Sequence, residues 1–332
     1  MTSETHIGVV GAGAWGTSLA ILANRAGSRA TLWTRNPMVA DSILNKRVNA
    51  HYLPEIFIDP AISVTRELTA LKECGALILT IPAQSLRTVC ITLSDLISAS
   101  IPLVIATKGI ERGSLMFMSE VVQSILPHNP VAILSGPNFA GEAASGTPTA
   151  AALATHHARV AEQMSFALGG KFFRLYANDD PIGTQVGGAV KNVLAIAAGI
   201  ALGHGLGENT RAAIITRGLV EMARLARAKG GREDTLFGLA GAGDVVLSCT
   251  SQKSRNYALG YVIGKGTPIM DIVHTGKAGL TEGVATAESV TQLAQKLAVA
   301  MPIAQAVNDI LTGALPVQGA IERLLERPLS QE

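Results

Sequence analysis

The sequence predicts an α/β protein in two parts, a doubly wound, mostly parallel sheet over residues 1–180 and an all-helical domain over residues 181–332. Three observations carry this expectation. Short apolar strands alternate with helical segments through the first half. A glycine-rich turn joins the first strand to a helix. After Asp180-Pro181 the apolar period becomes helical almost to the C-terminus.

The first strand is expected at residues 7–10, with Thr5 to Val10 already reading as strand, so no leader segment is expected ahead of it. Further strands are expected at 30–33, 76–81, 103–107, 131–135 and 150–154, and a last one at 172–176. Long connections between the earlier strands favour parallel pairing through helical crossovers. Asp180 then reads as a helix N-cap with Pro181 at the first helical position. Two more long helices are expected at 209–229, closed by Gly230-Gly231, and at 286–297.

Composition narrows the class. A length of 332 residues, 48% hydrophobic and 16% charged, with 34 glycines and few aromatics, fits a soluble α/β protein rich in Ala and Gly, of about two domains. A net charge of +2 is too small to argue for nucleic acid. The cysteines Cys74, Cys90 and Cys249 have no metal-like or C-x-x-C spacing, which favours a reduced, cytoplasmic compartment. The most apolar later run, 193–202, is about half the length a bilayer requires, so no membrane insertion is expected. The seven histidines show no metal-ligand spacing, and no metal is expected.

Gly11-Ala12-Gly13-Ala14-Trp15-Gly16 is G-x-G-x-x-G directly after a strand and opening a helix, the Rossmann-like arrangement. Its glycines permit a tight turn, close approach to a pyrophosphate and close helix–strand packing, while the helix N-terminus supplies donors. The second strand ends in Thr34-Arg35-Asn36 rather than in an acid. An arginine there accepts the 2′-phosphate of NADP, although Arg35 read alone is equally a solvated charge.

In the helical half, GGAVKNVLAIAAG (residues 187–199) places Lys191 and Asn192 in an apolar helix. At helical spacing Thr184, Gly187, Gly188, Ala195 and Ala198 share the side of Lys191. That small-residue face leaves room for a ligand beside the ammonium, or for a packed neighbour. Gly241-Ala242-Gly243-Asp244 reads as a flexible loop ending in a carboxylate, whose rival role is capping the next turn. Ser254-Arg255-Asn256 opens another helix, with a serine cap and an arginine suited to phosphate.

Six segments in register resemble one family. They are Asn49-Ala50-His51-Tyr52-Leu53-Pro54, Ala106-Thr107-Lys108-Gly109, Ser135 to Glu142 (SGPNFAGE), GGAVKN, RAAIITRGLVEMARL from Arg211, and GLAGAGDVVLSCTSQKSRN from Gly238. In this order they resemble the bacterial NAD(P)-dependent glycerol-3-phosphate dehydrogenase family. The resemblance implies reversible hydride transfer between sn-glycerol 3-phosphate and dihydroxyacetone phosphate, with NADH or NADPH as cofactor, feeding glycerophospholipid synthesis. It implies Lys191 as proton donor and acceptor. It implies substrate contacts at Lys108, Gly136, Asn138, Lys191, Asn192, Asp244, Ser254, Arg255 and Asn256. Cofactor contacts are implied at Gly11, Gly13, Ala14, Trp15, Gly16, Arg35, Tyr52, Lys108, Ala140, Arg255, Leu280 and Glu282.

Departures from the family pattern are Leu280-Thr281 before Glu282, Asn138 where Ser or Thr is frequent, and Ser248 where Thr is common. Two other readings stay open on the residues: a two-domain dehydrogenase of a β-hydroxy acid, and a non-catalytic NAD(P)-sensing protein. The Ala-rich helical half also offers surface for a homodimer interface.

Overall fold

The computed structural model describes residues 5–268 and 282–326. The described residues up to Lys108 form one compact unit together with Met116–Thr184; Gly109–Leu115 and the residues from Gln185 onward form a second.

The first unit is built on a sheet of eight strands: β1 (His6–Val10), β2 (Arg29–Trp33), β5 (Ser63–Thr65), β6 (Ala76–Leu79), β7 (Leu103–Ile105), β8 (Val131–Ser135), β9 (Thr149–Ala154) and β10 (Phe173–Asn178). Their order is β10-β9-β8-β7-β6-β1-β2-β5. Every pairing is parallel except β8 with β9. Alternate residues feed two cores. Ile7, Val9, Ile78, Val104 and Leu134 pack on one face, with Leu19 and Leu22 of α1 (Ala14–Arg25) and Met164 of α6 (Ala158–Leu168). Val10, Leu77, Leu79, Leu103, Ile105 and Ile133 pack on the other, with Leu86 and Cys90 of α3 (Leu86–Ser94) and Val121 of α4 (Met118–Ile125). Burial on both faces is why these strands read as unbroken apolar runs.

Three short strands escape the sequence pattern. β3 (Val48–Asn49) and β4 (Leu53–Phe57) form an antiparallel hairpin, and β5 is the three-residue edge of the main sheet. None is long enough to display a period, and Pro54 in β4 is a strand-disfavouring residue. The antiparallel pairing of β8 with β9 falls among the later strands, for which no direction was expected. Its connection holds only α5 (Ala140–Ser145), six residues. Such a helix rises about 9 Å, too little to return along a strand of about 17 Å.

The second unit is helical throughout its described elements, which are α7 (Pro181–Gly203), α8 (Gly207–Ala228), α9 (Asp244–Thr250), α10 (Arg255–Gly264), α11 (Glu282–Lys296), α12 (Pro302–Leu311) and α13 (Val317–Leu325). α7, whose first turn lies in the first unit, starts where expected, with Gly183 N–H donating to Asp180 Oδ1 at 2.9 Å. At 23 residues it is longer than its apolar run implies and is long and apolar enough to span a bilayer, but 89% of its most apolar window is buried in the fold. Within this unit α7 and α10 run side by side in direct backbone contact. A Cβ on Gly199 or Gly203 would lie 2.2 Å from the carbonyl of Tyr257 or Tyr261, and one on Gly260 or Gly264 would lie 2.1 or 2.3 Å from that of Ile196 or Ile200. Elsewhere Glu221 of α8, 2% exposed, accepts from Ile303 N at 2.7 Å and Ala304 N at 3.2 Å, neutralising the N-terminus of α12.

Candidate active site

The glycine turn is shaped by contacts on all but one side. Gly11 holds φ +116°, and its N–H donates to Trp33 O at 3.0 Å. Thr80 Oγ1 donates to Val10 O at 3.0 Å and Gly11 O at 2.8 Å. Asn49, fully buried, donates through Nδ2 to Ala12 O and Thr17 Oγ1, both at 2.9 Å. A Cβ on Gly16 would stand 1.8 Å from Gly11 O, so packing alone forbids a side chain there. Gly13 is different: a Cβ would meet no protein atom within 4 Å. Open space therefore lies over the N-terminus of α1, which has no side-chain cap and no acid in its first turn. An uncapped helix end facing open space fits a pyrophosphate.

Around this turn, Ala14 begins α1, and Trp15 packs edge-on to Phe173 with centroids 6.4 Å apart. Ser18 Oγ donates to Ala140 O at 2.7 Å, tying α1 to the start of α5. Arg35 is exposed beyond β2, and Tyr52 is exposed with its ring against His51. Lys108 is half-buried just past β7, before Gly109 at φ +142°. Gly136 faces β9, where a Cβ would lie 2.9 Å from Ala151 Cα. The Asn138 carboxamide is committed to that strand, donating to Ala150 O at 3.0 Å and accepting from Thr149 Oγ1 at 2.7 Å. One Asn138 N–H is left over by this count.

In the helical unit, α7 meets the region of Asp244 directly. Leu239–Gly243 forms one π-helical turn rather than a flexible loop, because a Cβ on Gly241 would fall 2.0 Å from Leu236 O. The space beside Gly187 is likewise filled by backbone, Ala240 O standing 2.2 Å from its would-be Cβ. So at that position the small residue admits a neighbouring segment, not a ligand. Asp244 is the first residue of α9, with Gly243 as its cap residue. Its carboxylate takes Lys191: Nζ lies 2.9 Å from Asp244 Oδ1 and 2.9 Å from Ser248 Oγ. Ser248 Oγ also donates to Asp244 Oδ1 at 3.4 Å. An ammonium has three hydrogens, so one remains for an incoming oxygen. The Lys191 side chain is 15% exposed and that of Asp244 2%.

The next polar pair is Asn192 and Asn256. Asn256 Nδ2 donates to Asn192 Oδ1 at 2.9 Å, while Asn256 Oδ1 is buried and accepts nothing among the described residues. Ser254 caps α10 through Tyr257 N at 3.3 Å, and Arg255 is exposed in the first turn. Glu282 begins α11, and Gly283 lies against the Asn256 side chain. Leu280 falls outside the described residues. Cys249 sits behind Lys191, and burial pushes its thiol up to about 12. No group of three or more potential metal ligands occurs among the described residues.

Thr80 and Thr149 were not singled out from sequence, although they bond Gly11 and Asn138, and Asn49 stood in a family segment without a role although it bonds the turn at Ala12 O. The only available signal is a polar side chain next to an apolar strand or inside a glycine-rich motif.

Comparison with known proteins adds the family. Residues 6–161 match the family described as NAD-dependent glycerol-3-phosphate dehydrogenase N-terminus, and residues 180–322 the corresponding C-terminus family. A glycerol-3-phosphate dehydrogenase (NAD(P)+) of Rhodospirillum rubrum is 48% identical over 98% of this chain and 94% of its own length. The enzyme of the same name from Maricaulis maris is 45% identical over 100% of this chain and 99% of its own. A crystal structure of glycerol-3-phosphate dehydrogenase from Coxiella burnetii superposes with TM-score 0.93 at 38% identity, covering 98% of this chain and 99% of that one. This chain belongs to the NAD-dependent glycerol-3-phosphate dehydrogenase family.

Proposed function

We propose that this family member is an NAD(P)-dependent sn-glycerol-3-phosphate dehydrogenase, which reversibly reduces dihydroxyacetone phosphate and supplies glycerophospholipid synthesis in the cytoplasm. The observation that carries the reading is near-full-length identity of 45–48% to enzymes of that name. The helical unit supplies a cation where the reaction needs one. As the substrate carbonyl gains negative charge, the remaining Lys191 hydrogen stabilises and then protonates it, while Asp244 and Ser248 hold the ammonium in place. When bound, the nicotinamide supplies or accepts the hydride.

The other roles are part of the same proposal. Residues 1–180 supply most of the cofactor contacts and 181–332 most of the substrate contacts. Gly11, Gly13, Ala14, Trp15 and Gly16 cradle the pyrophosphate, with Tyr52, Ala140, Leu280 and Glu282 as further cofactor contacts. Lys108 and Arg255 serve both ligands, and Arg35 favours NADP. Ser254, Arg255 and Asn256 take the substrate phosphate end, and Gly136, Asn138 and Asn192 line the substrate. The buried, unpaired Asn256 Oδ1 suits a hydroxyl donor. A homodimer would use the Ala-rich helical half. NADPH absorbance in the presence of dihydroxyacetone phosphate tests the reading. Oxidation of NADPH is expected, and failure with this substrate alongside turnover of a 3-keto acid would overturn it.

A further inference from the structure

The outer edge of the nucleotide sheet carries a second arginine with no assigned role. β2 and β5 run parallel with Trp33 opposite Thr65, so Thr34 and Arg66 are the next positions in register. Thr34 N donates to Thr65 O at 3.0 Å, and Trp33 Nε1 donates to Arg66 O at 2.9 Å. These bonds pin the Arg66 backbone beside the carboxyl end of β2. Adjacent strands lie about 4.8 Å apart, so Arg66, one residue past β5, and Arg35, two residues past β2, stand at the carboxyl ends of neighbouring strands on one rim.

Both residues are exposed, and neither guanidinium has a hydrogen bond or ion pair among the described residues. By contrast Arg112, Arg211, Arg227, Arg232 and Arg323 each pair with a carboxylate. The rim is where an open α/β sheet takes its ligand, and the end of the second strand is where the adenosine ribose is read. Two unpaired guanidinium forks suit a phosphate dianion, whose oxygens accept from both. The acid next in sequence, Glu67, starts the 3₁₀ turn Leu68–Glu73 and offers no donor to such a group.

We propose that Arg66 is a second specificity-determining residue, contacting the 2′-phosphate of NADP jointly with Arg35. The proposal rests on the reading that Arg35 favours NADP. Calorimetric titration of the purified protein with adenosine 2′,5′-bisphosphate and with 5′-AMP isolates the 2′-phosphate contribution without turnover. The wild-type chain is expected to bind the bisphosphate more tightly. Arg66→Ala should reduce that preference about tenfold with 5′-AMP affinity unchanged, and Arg66→Lys should keep part of it. A preference untouched in Arg66→Ala but lost in Arg35→Ala overturns the role of Arg66 alone. Equal wild-type affinity for the two nucleotides overturns the NADP reading and this proposal with it.

Discussion

Lys191 and Asp244 form a nearly buried ion pair, so each is tolerable in its place because the other is there. Asp244→Ala should destabilise the fold by about 3–5 kcal/mol, since it leaves a largely buried ammonium without its counter-charge. Replacing both, Lys191→Met with Asp244→Leu, should recover most of that stability in thermal melts while turnover stays absent. A double variant as unstable as the single one would contradict this account. Lys191→Met by itself should lower kcat by about 10²–10⁴ and leave NADPH binding, read by fluorescence, close to wild type. The buried thiols make a second residue-scale prediction. Burial pushes Cys74 up to about 11 and Cys90 and Cys249 up to about 12, from an ordinary 9.0. Below pH 9 these thiols are neutral in both states; above it the unfolded chain ionises first. Their stabilisation is therefore complete below about 9 and lost as pH rises towards 12. Urea midpoints should fall across that window, and Cys90→Ala should fall less steeply than wild type.

Elements differ in why they need glycine, and substitution separates the reasons. Gly260→Ala forces a Cβ to 2.1 Å from Ile196 O, where two helix backbones meet, and should cost about 3 kcal/mol in urea unfolding. Gly13→Ala meets nothing within 4 Å, so the melting temperature should hold while NADPH affinity drops. Similar losses of stability in both variants would refute the distinction. The long elements were legible in sequence because their periods run for many residues: seven strands of the main sheet, the Asp180 cap and the long helices all stand close to where spacing put them. The hairpin β3–β4 and the edge strand β5 were not, being too short to show alternation. The Leu239–Gly243 turn misled as well, for Gly241 signals close packing on Leu236 rather than mobility.

On the scale of the whole molecule, the proposed division of chemistry between the two units is one that hydrogen exchange can test. NADPH alone should slow exchange around residues 11–17 and 33–36 of the sheet unit, and dihydroxyacetone phosphate should slow it around 191–192 and 254–256 of the helical unit. Protection confined to one unit by both ligands would reject the division. At a ligand concentration of about one hundred times Kd, either ligand should add about 2.7 kcal/mol to unfolding.

By itself the sequence determined the fold class, the nucleotide turn and the identity of the polar residues in apolar helices, because periodicity and glycine spacing are local properties. Only the tertiary structure decided which of those groups meet. It joined Lys191 to Asp244 and Ser248 across more than fifty residues, turned Gly187 towards a backbone rather than a ligand, and set Arg66 beside the end of β2. Such partnerships depend on where packed backbones bring distant segments, and no spacing along the chain encodes that distance.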